Sequence, residues 1–289
     1  MLNSIAKAGK QKISIKIFEA TTFVKSKIMN LSLENKNAII CGSTQGIGFA
    51  AAYELALLGA NCTLFARNET ALQDVLKKLD TSKGQQHNYL VADFSKHETV
   101  KTAIGKHVEK FDVHILVNNS GGPAAGAIIK ATEEDFLNAF KQHVICNQIL
   151  VQAVMASMKK NSFGRIINII STSVKIPLPN LGVSNTIRGA VASWAKTLSL
   201  ELAQFNITVN NILPGMTKTK RLESLITATA SAKNISVNDV TKNMLNEIPA
   251  KRFGESSEIA AVIAFLASPA ASYVNGTSIP VDGGRTGSI

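Results

Sequence analysis

The chain reads as a single α/β domain built on a doubly wound parallel sheet, and three observations carry that reading. Seven short apolar runs alternate with longer stretches of helical periodicity from Asn37 onward. Most of these runs are apolar throughout, as strands are when both faces of their sheet are covered. A glycine-rich turn, Gly42-Ser43-Thr44-Gln45-Gly46-Ile47-Gly48, joins the first run to the first helical stretch. Alternation of this kind implies right-handed crossovers between parallel strands.

The expected strands are Asn37–Cys41, Cys62–Phe65, Tyr89–Val91, His114–Val117, Arg165–Ile170, Thr208–Leu213 and Thr277–Val281, each rich in Val, Ile, Leu or Thr. Helical spacing of apolar residues fills the intervals 46–58, 69–79, 97–110, 133–160, 183–204 and 255–267. In the fifth of these, Val183, Ile187, Val191, Trp194 and Leu198 line one face. No repeat, low-complexity tract or linker follows residue 36, so residues 37–289 form the domain and residues 1–36 a basic extension.

The net charge of +11 is unevenly placed. Residues 1–28 hold six Lys against the one acid Glu19, which is +5, and the other +6 is spread over the remaining 261 residues. No Arg/Lys block with interleaved aromatics occurs, so nucleic-acid binding is not expected. Ile13, Ile17, Thr21, Val24 and Ile28 recur at helical spacing among those lysines. Two readings stay open for that segment: a surface anchor or targeting helix, or a poorly ordered extension ahead of a start at Met29. No apolar run of 18 or more residues is present, so no integral membrane association is expected. Cys41, Cys62 and Cys146 are an odd count without a close pair; they suggest neither disulfides nor a metal site, and suit a reducing, cytoplasmic setting.

The glycine turn is the first chemical signal. Placed between a first strand and a first helix, its glycines allow the backbone to approach a pyrophosphate while the new helix offers free N–H groups. Gly42, Ser43, Gln45, Gly46, Ile47 and Gly48 are therefore cofactor candidates. The second strand ends Phe65-Ala66-Arg67-Asn68, without the acid that holds an unmodified ribose in NAD-binding chains. Arg67 stands beside that position, and a guanidinium fork suits a 2′-phosphate. NADP(H) is the expected dinucleotide.

The glycine spacing resembles that of the short-chain dehydrogenase/reductase family, a Rossmann-type fold. Four other segments are similar to the family's: Ala92-Asp93-Phe94, Asn118-Asn119-Ser120-Gly121 (against Asn-Asn-Ala-Gly), Pro214-Gly215 followed by Thr219, and Val281-Asp282-Gly283-Gly284. The likeness covers residues 36–284 and is strongest to 3-oxoacyl-acyl-carrier-protein reductases. It implies that Asp93, Asn119, Gly121, Pro214, Gly215 and Thr219 line the dinucleotide. It also implies a homodimer or homotetramer, a place in fatty acid biosynthesis and a carbonyl substrate, free or carried by an acidic acyl carrier.

The resemblance breaks at the chemistry. The family divides the work among Ser, Tyr, Lys and Asn. Carried over by position, Ser171 matches the Ser, Ser184 stands where Tyr is expected, Arg188 where Lys is expected and His143 where Asn is expected. An aliphatic hydroxyl is a far weaker acid than a phenol with a pKa of about 10, and arginine does not give up a proton. Tyr53, Tyr89 and Tyr273 fall outside the motif. His143 is the first candidate donor, because imidazole titrates near neutrality; Lys175 is the second. A core histidine and a solvated lysine are the plain alternatives. Lys218, Lys220 and Arg221 open a polar segment (214–248, with helical pattern at 221–227 and 237–246) that covers the substrate in the family, and they could meet an anion. An NADP(H)-dependent reductase is expected, with a non-catalytic NADP(H)-binding protein as the rival.

Overall fold

The computed structural model describes residues 29–288, so the basic amphipathic pattern of residues 1–28 lies outside the described residues. Leu31–Ile289 form one compact unit. Leu33 is fully buried, and its N–H donates to the Leu58 carbonyl at 2.8 Å, so packing begins a few residues before the first strand.

Seven parallel strands make the sheet: β1 (Asn37–Cys41), β2 (Asn61–Ala66), β3 (Asn88–Val91), β4 (Ile115–Asn118), β5 (Gly164–Ile169), β6 (Ile207–Pro214) and β7 (Ser278–Val281). Their spatial order is β3-β2-β1-β4-β5-β6-β7. The order reverses between β1 and β4, and a crevice opens there at the carboxyl ends of the strands. The helices are α1 (Gly46–Leu57), α2 (Glu69–Leu76), α3 (His97–Val108), α4 (Glu133–Phe140), α5 (Cys146–Lys160), α6 (Gly182–Leu202), α7 (Lys220–Lys233), α8 (Val237–Asn246) and α9 (Ser256–Ala267).

Alternation along the strands splits the core in two. Ala38 and Ile40 of β1, Ile115 and Val117 of β4, and Ile167 and Ile169 of β5 face the layer that holds α1, α2 and α9. Ile39, Cys41, Leu116 and Ile166 face the layer of α3 and α5 and part of α6. Burying each such side chain contributes on the order of 1.5–3 kcal/mol, which is why continuous apolar runs select a sheet covered on both sides. The three cysteines are free and buried, and burial pushes each thiol above its usual pKa. Among the described residues no helix is long and apolar enough to cross a membrane.

A row of polar side chains crosses this apolar sheet. Asn118, Asn168, Asn211 and Ser278 are register partners on β4, β5, β6 and β7. The Asn118 amide donates to Asn168 Oδ1 (2.8 Å), Asn168 to Asn211 Oδ1 (3.0 Å) and Asn211 to Ser278 Oγ (3.1 Å). All three asparagines are buried, so each link replaces water that the row cannot reach. A second buried polar group, Arg165, is also well matched. Its guanidinium donates to the carbonyls of Gly164, Asn206 and Ser268 and lies 4.2 Å from the Phe163 ring centroid.

The expected helix over 133–160 is interrupted. Lys141–Ile145 form a π-turn between α4 and α5, which adds a residue to the helical register and turns His143 inward. The polar segment after β6 is more ordered than its sequence pattern indicates. Thr219 caps α7 by accepting from the Leu222 N–H, and Leu222, Ile226 and Ala230 bury one stripe.

Replacing Asn168 by Ala strands the Asn118 donor and the Asn211 acceptor. It should lower unfolding stability by about 2–4 kcal/mol in urea titrations; a loss under about 1 kcal/mol would show that the row carries little.

Candidate active site

At the carboxyl end of β1 the chain turns through Gly42, whose φ of +61° belongs to the region that favours glycine. A Cβ on Gly42 would lie 2.5 Å from the Asn119 carbonyl oxygen, and one on Gly48 would lie 2.2 Å from the Gly42 oxygen. Three backbone segments thus meet with no room for a methyl group. Asn119 fixes the approach, its amide donating to the carbonyls of Cys41 (3.2 Å) and Gly42 (3.3 Å). The start of α1, at Gly46-Ile47-Gly48, has no side-chain cap and no acid in its first turn, and Gln45 precedes it in extended conformation. A helix start of this kind presents free N–H groups to a phosphate. Ser43 points the other way, its buried hydroxyl accepting from the Phe65 N–H at 3.0 Å. Ile47 packs into the core.

Arg67 follows β2 and is exposed, and its charge reaches Asp93 after β3. The Ser95 N–H, more than Arg67, holds the Asp93 carboxyl below the usual range. Pro214 closes β6, and the Gly215 N–H donates to the Val281 carbonyl beside it at 3.0 Å. Thr219 lies with its methyl 3.2 Å from where a Gly46 Cβ would be, so the start of α7 reaches back over the glycine turn.

The reacting end is assembled by three local devices. Ser171 heads a short 3-10 turn over Thr172–Val174 and accepts the Ser173 N–H at 3.1 Å, which leaves its own hydrogen to donate outward. Gly126 pairs with Leu181, and the Gly182 N–H donates to the Gly126 carbonyl, so the loop after β4 is tied to the start of α6. That anchors Ser184 and Arg188, one helical turn apart and both buried, against the end of β5. Arg188 Nη1 donates to the Ile169 carbonyl at 2.9 Å. Burial, followed by the charge of Arg221, brings its pKa down to about 10, so it stays cationic at neutral pH.

His143 is 2% exposed. Its Nδ1 is 2.9 Å from Ser120 Oγ, while its Nε2 has no hydrogen-bond partner. Burial, with Arg188 and Arg221 nearby, lowers its pKa to about 3. The sequence-based expectation of an imidazole that titrates near neutrality is thereby corrected: the ring is neutral, because a proton there would add a third positive charge in a dry site. The structure brings His143, Arg188 and Arg221 together and leaves Lys175 exposed at the end of the 3-10 turn. The tyrosines lie elsewhere: Tyr53 on α1, Tyr89 bonded to Glu69, and Tyr273 fully exposed.

Ser120 and Gln142 were not singled out from sequence. Gln142 donates to the Gly121 carbonyl (3.0 Å), and Ser120 meets His143, so the π-turn grips the loop after β4. A signal was present, since Ser120 and His143 both depart from the family pattern and are partners. Of the three cations that open the polar segment, Lys218 is paired with Glu255, Lys220 faces solvent and Arg221 donates to the Gly122 and Pro123 carbonyls.

A glycine cradle at the sheet's switch point, facing a Ser/Arg/His cluster at the same end of the strands, defines a dinucleotide-binding α/β protein. A family profile described as enoyl-(acyl carrier protein) reductase matches residues 42–286, and the chain belongs to the short-chain dehydrogenase/reductase family. It is 30% identical to the NADPH-dependent reductase BacG of Bacillus subtilis, covering 89% of this chain and 100% of that one. It is 33% identical to the 3-oxoacyl-[acyl-carrier-protein] reductase FabG of Haemophilus influenzae, over 87% and 98%. Among solved structures, YwfH, an NADPH-dependent reductase involved in bacilysin biosynthesis, superposes with a TM-score of 0.82 at 31% identity, over 88% of this chain and 99% of that one. L-sorbose reductase from Gluconobacter frateurii, complexed with NADPH and L-sorbose, gives 0.85 at 28%, over 90% and 100%.

The lowered pKa of His143 sets a pH signature. Unfolding releases the ring to its ordinary value of about 6.5, so between there and about 3 the unfolded chain binds the extra proton and stability falls as pH drops. Above that window the residue contributes no slope. Comparing His143→Asn with the parent by denaturant titration, the variant should lose less stability on acidification from pH 7 to about 5. Parallel losses in the two proteins would contradict the assignment.

Proposed function

We propose that the chain is an NADP(H)-dependent reductase that converts a carbonyl to a hydroxyl, with the observation that carries it being the glycine cradle set against a buried, cationic reacting end. The residues fit the dinucleotide: Gly42, Gly46 and Gly48 leave backbone space where side chains would intrude, and the uncapped start of α1 answers a pyrophosphate. Arg67, standing where no acid intervenes, answers a 2′-phosphate. The NADPH-dependent relatives support the same choice. When bound, NADPH supplies the hydride.

The chain's own residues do the remaining work. Ser171 directs its free hydroxyl hydrogen at the carbonyl oxygen and polarises it. Arg188 holds the nicotinamide ribose through its unmatched donors and places a fixed positive charge beside the oxygen as negative charge develops there. His143 acts as a neutral donor: Ser120 O–H donates to Nδ1, which leaves Nε2–H for the substrate oxygen. A neutral imidazole is a sound electrophile where a cationic one cannot form. The proton that completes the hydroxyl comes from solvent through Ser184 or His143. Alignment supplies the larger share of the acceleration, and the missing phenol gives up only the ~10²–10⁴-fold of general acid catalysis.

FabG-type relatives favour a 3-oxoacyl thioester as substrate, with an acidic acyl carrier as partner and a homo-oligomer as the working form. The sorbose reductase neighbour favours a small polyol ketone equally well. The rival reading, an NADP(H)-binding protein without turnover, draws on the distance of every tyrosine from the site.

Calorimetric titration with NADPH, beside an assay of carbonyl-dependent NADPH loss, separates these readings. Heat of binding with turnover is expected, and Arg67→Ala should weaken NADPH at least about tenfold, roughly 1.4 kcal/mol, while leaving NADH affinity unchanged. Ser171→Ala should lower kcat by about 10²-fold at unaltered NADPH affinity. Binding without any turnover across thioesters, ketoses and oxo acids selects the rival; absence of NADPH binding overturns both.

A further inference from the structure

Two arginines share this pocket without a carboxylate. Neither Arg188 nor Arg221 belongs to any ion pair among the described residues. The charges that act on His143 are those two cations, and the charge that acts on Arg188 is that of Arg221; no acid opposes them. Arg165 shows how this chain treats a buried guanidinium that it means to neutralise by dipoles: three carbonyl acceptors and an aromatic ring. Arg188 has one acceptor, Ile169 O, for five donors, though it is nearly as deeply buried. Buried charge left uncompensated is costly, and chains of this size pair it.

Two more polar atoms stand bare in the same cluster. His143 Nε2 and Ser173 Oγ are buried without partners, the serine on the turn that follows Ser171. The cofactor's ribose would take up donors of Arg188, but its hydroxyls are neutral and leave both charges standing. The cofactor's phosphates have their own seats at the start of α1 and beside Arg67. Arg221 instead reaches across the mouth to the Gly122 and Pro123 carbonyls, downstream of Asn119, and its charge is felt at His143 and Arg188 at the reacting end.

We propose that Arg221, together with Arg188, forms a subsite for a carboxylate carried by the substrate, so that the chain acts on an oxo acid and not on a neutral thioester or sugar. The inference rests on the reductase reading for its reaction and deepens it by naming the substrate class. Arg221 is the specificity residue. Carried on α7, which covers the pocket, it closes over the acid group when the substrate enters, and its planar fork matches a carboxylate. A neutral carbonyl compound of the same shape would leave two cations unpaired, and a site built for a polar group rejects the analogue that lacks it.

The test uses full-length protein loaded with NADP+ and needs no turnover. Benzoate and benzamide, one charged and one neutral, are titrated by calorimetry into the parent, Arg221→Gln and Arg221→Lys. Benzoate should bind at least about tenfold tighter than benzamide; Arg221→Gln should erase that difference and Arg221→Lys restore part of it, with NADP+ affinity unchanged throughout. Equal binding of the two probes overturns the subsite. So does an Arg221→Gln variant whose NADP+ affinity falls as far as its benzoate affinity, since the pyrophosphate would then be the anion served. In the turnover assay, preference for phenylglyoxylate over its methyl ester supports the inference, and preference for the ester overturns it. If NADP+ fails to bind while benzoate still discriminates, the reductase reading fails and the carboxylate subsite stands.

Discussion

The close approach of β1, α1 and the loop after β4 is the constraint on which the molecule is organised. Asn119 bonds to two successive carbonyls of the glycine turn, and the backbones it joins leave no space for a Cβ at Gly42 or Gly48. That contact sets where α1 begins, and hence where its free N–H groups point. It also places Ser120, the next residue, against His143, so the position of the phosphate seat and that of the buried imidazole are fixed by one clamp. The asparagine row from Asn118 to Ser278 ties the same strand to β5, β6 and β7, and so holds both halves of the crevice at one height.

The reacting end is a coherent chemical departure. Replacing a phenol by Ser184 and an amine by Arg188 removes both groups that could release a proton near neutral pH. What enters instead is permanent positive charge, with a histidine that this charge and burial keep neutral. Such a site stabilises an oxyanion by fixed electrostatics more than by proton transfer. The π-turn is part of that design, because it brings His143 and Gln142 inward to hold Ser120 and Gly121 where a regular helix would carry them past.

The fold was legible because apolar runs and helical periodicity have different repeats, and the glycine turn marked the junction of strand and helix. The strand order, the cofactor end and the family all follow from those signals. The π-turn was not legible, since adding one residue to a helix of mixed polarity barely disturbs its apolar pattern. Asn118 reads as a loop residue, and nothing local shows that it pairs across strands with Asn168. Arg221 was one of three cations in four residues, and only packing distinguishes it from Lys218, which Glu255 occupies. The ionisation of His143 was misjudged for the same reason: its partners come from α6 and α7, remote in sequence.

The electrostatic state of that histidine is the most direct probe of a reacting end run by fixed charge. Nitrogen NMR of histidine-labelled, NADP+-loaded protein, titrated with acid, reports it residue by residue. The account requires the His143 ring to stay neutral to about pH 5 or below, and its pKa to rise when Arg221 is replaced by Gln, because one of the two repelling cations is gone. A ring that titrates near the ordinary histidine value of about 6.5, indifferent to Arg221, would contradict it.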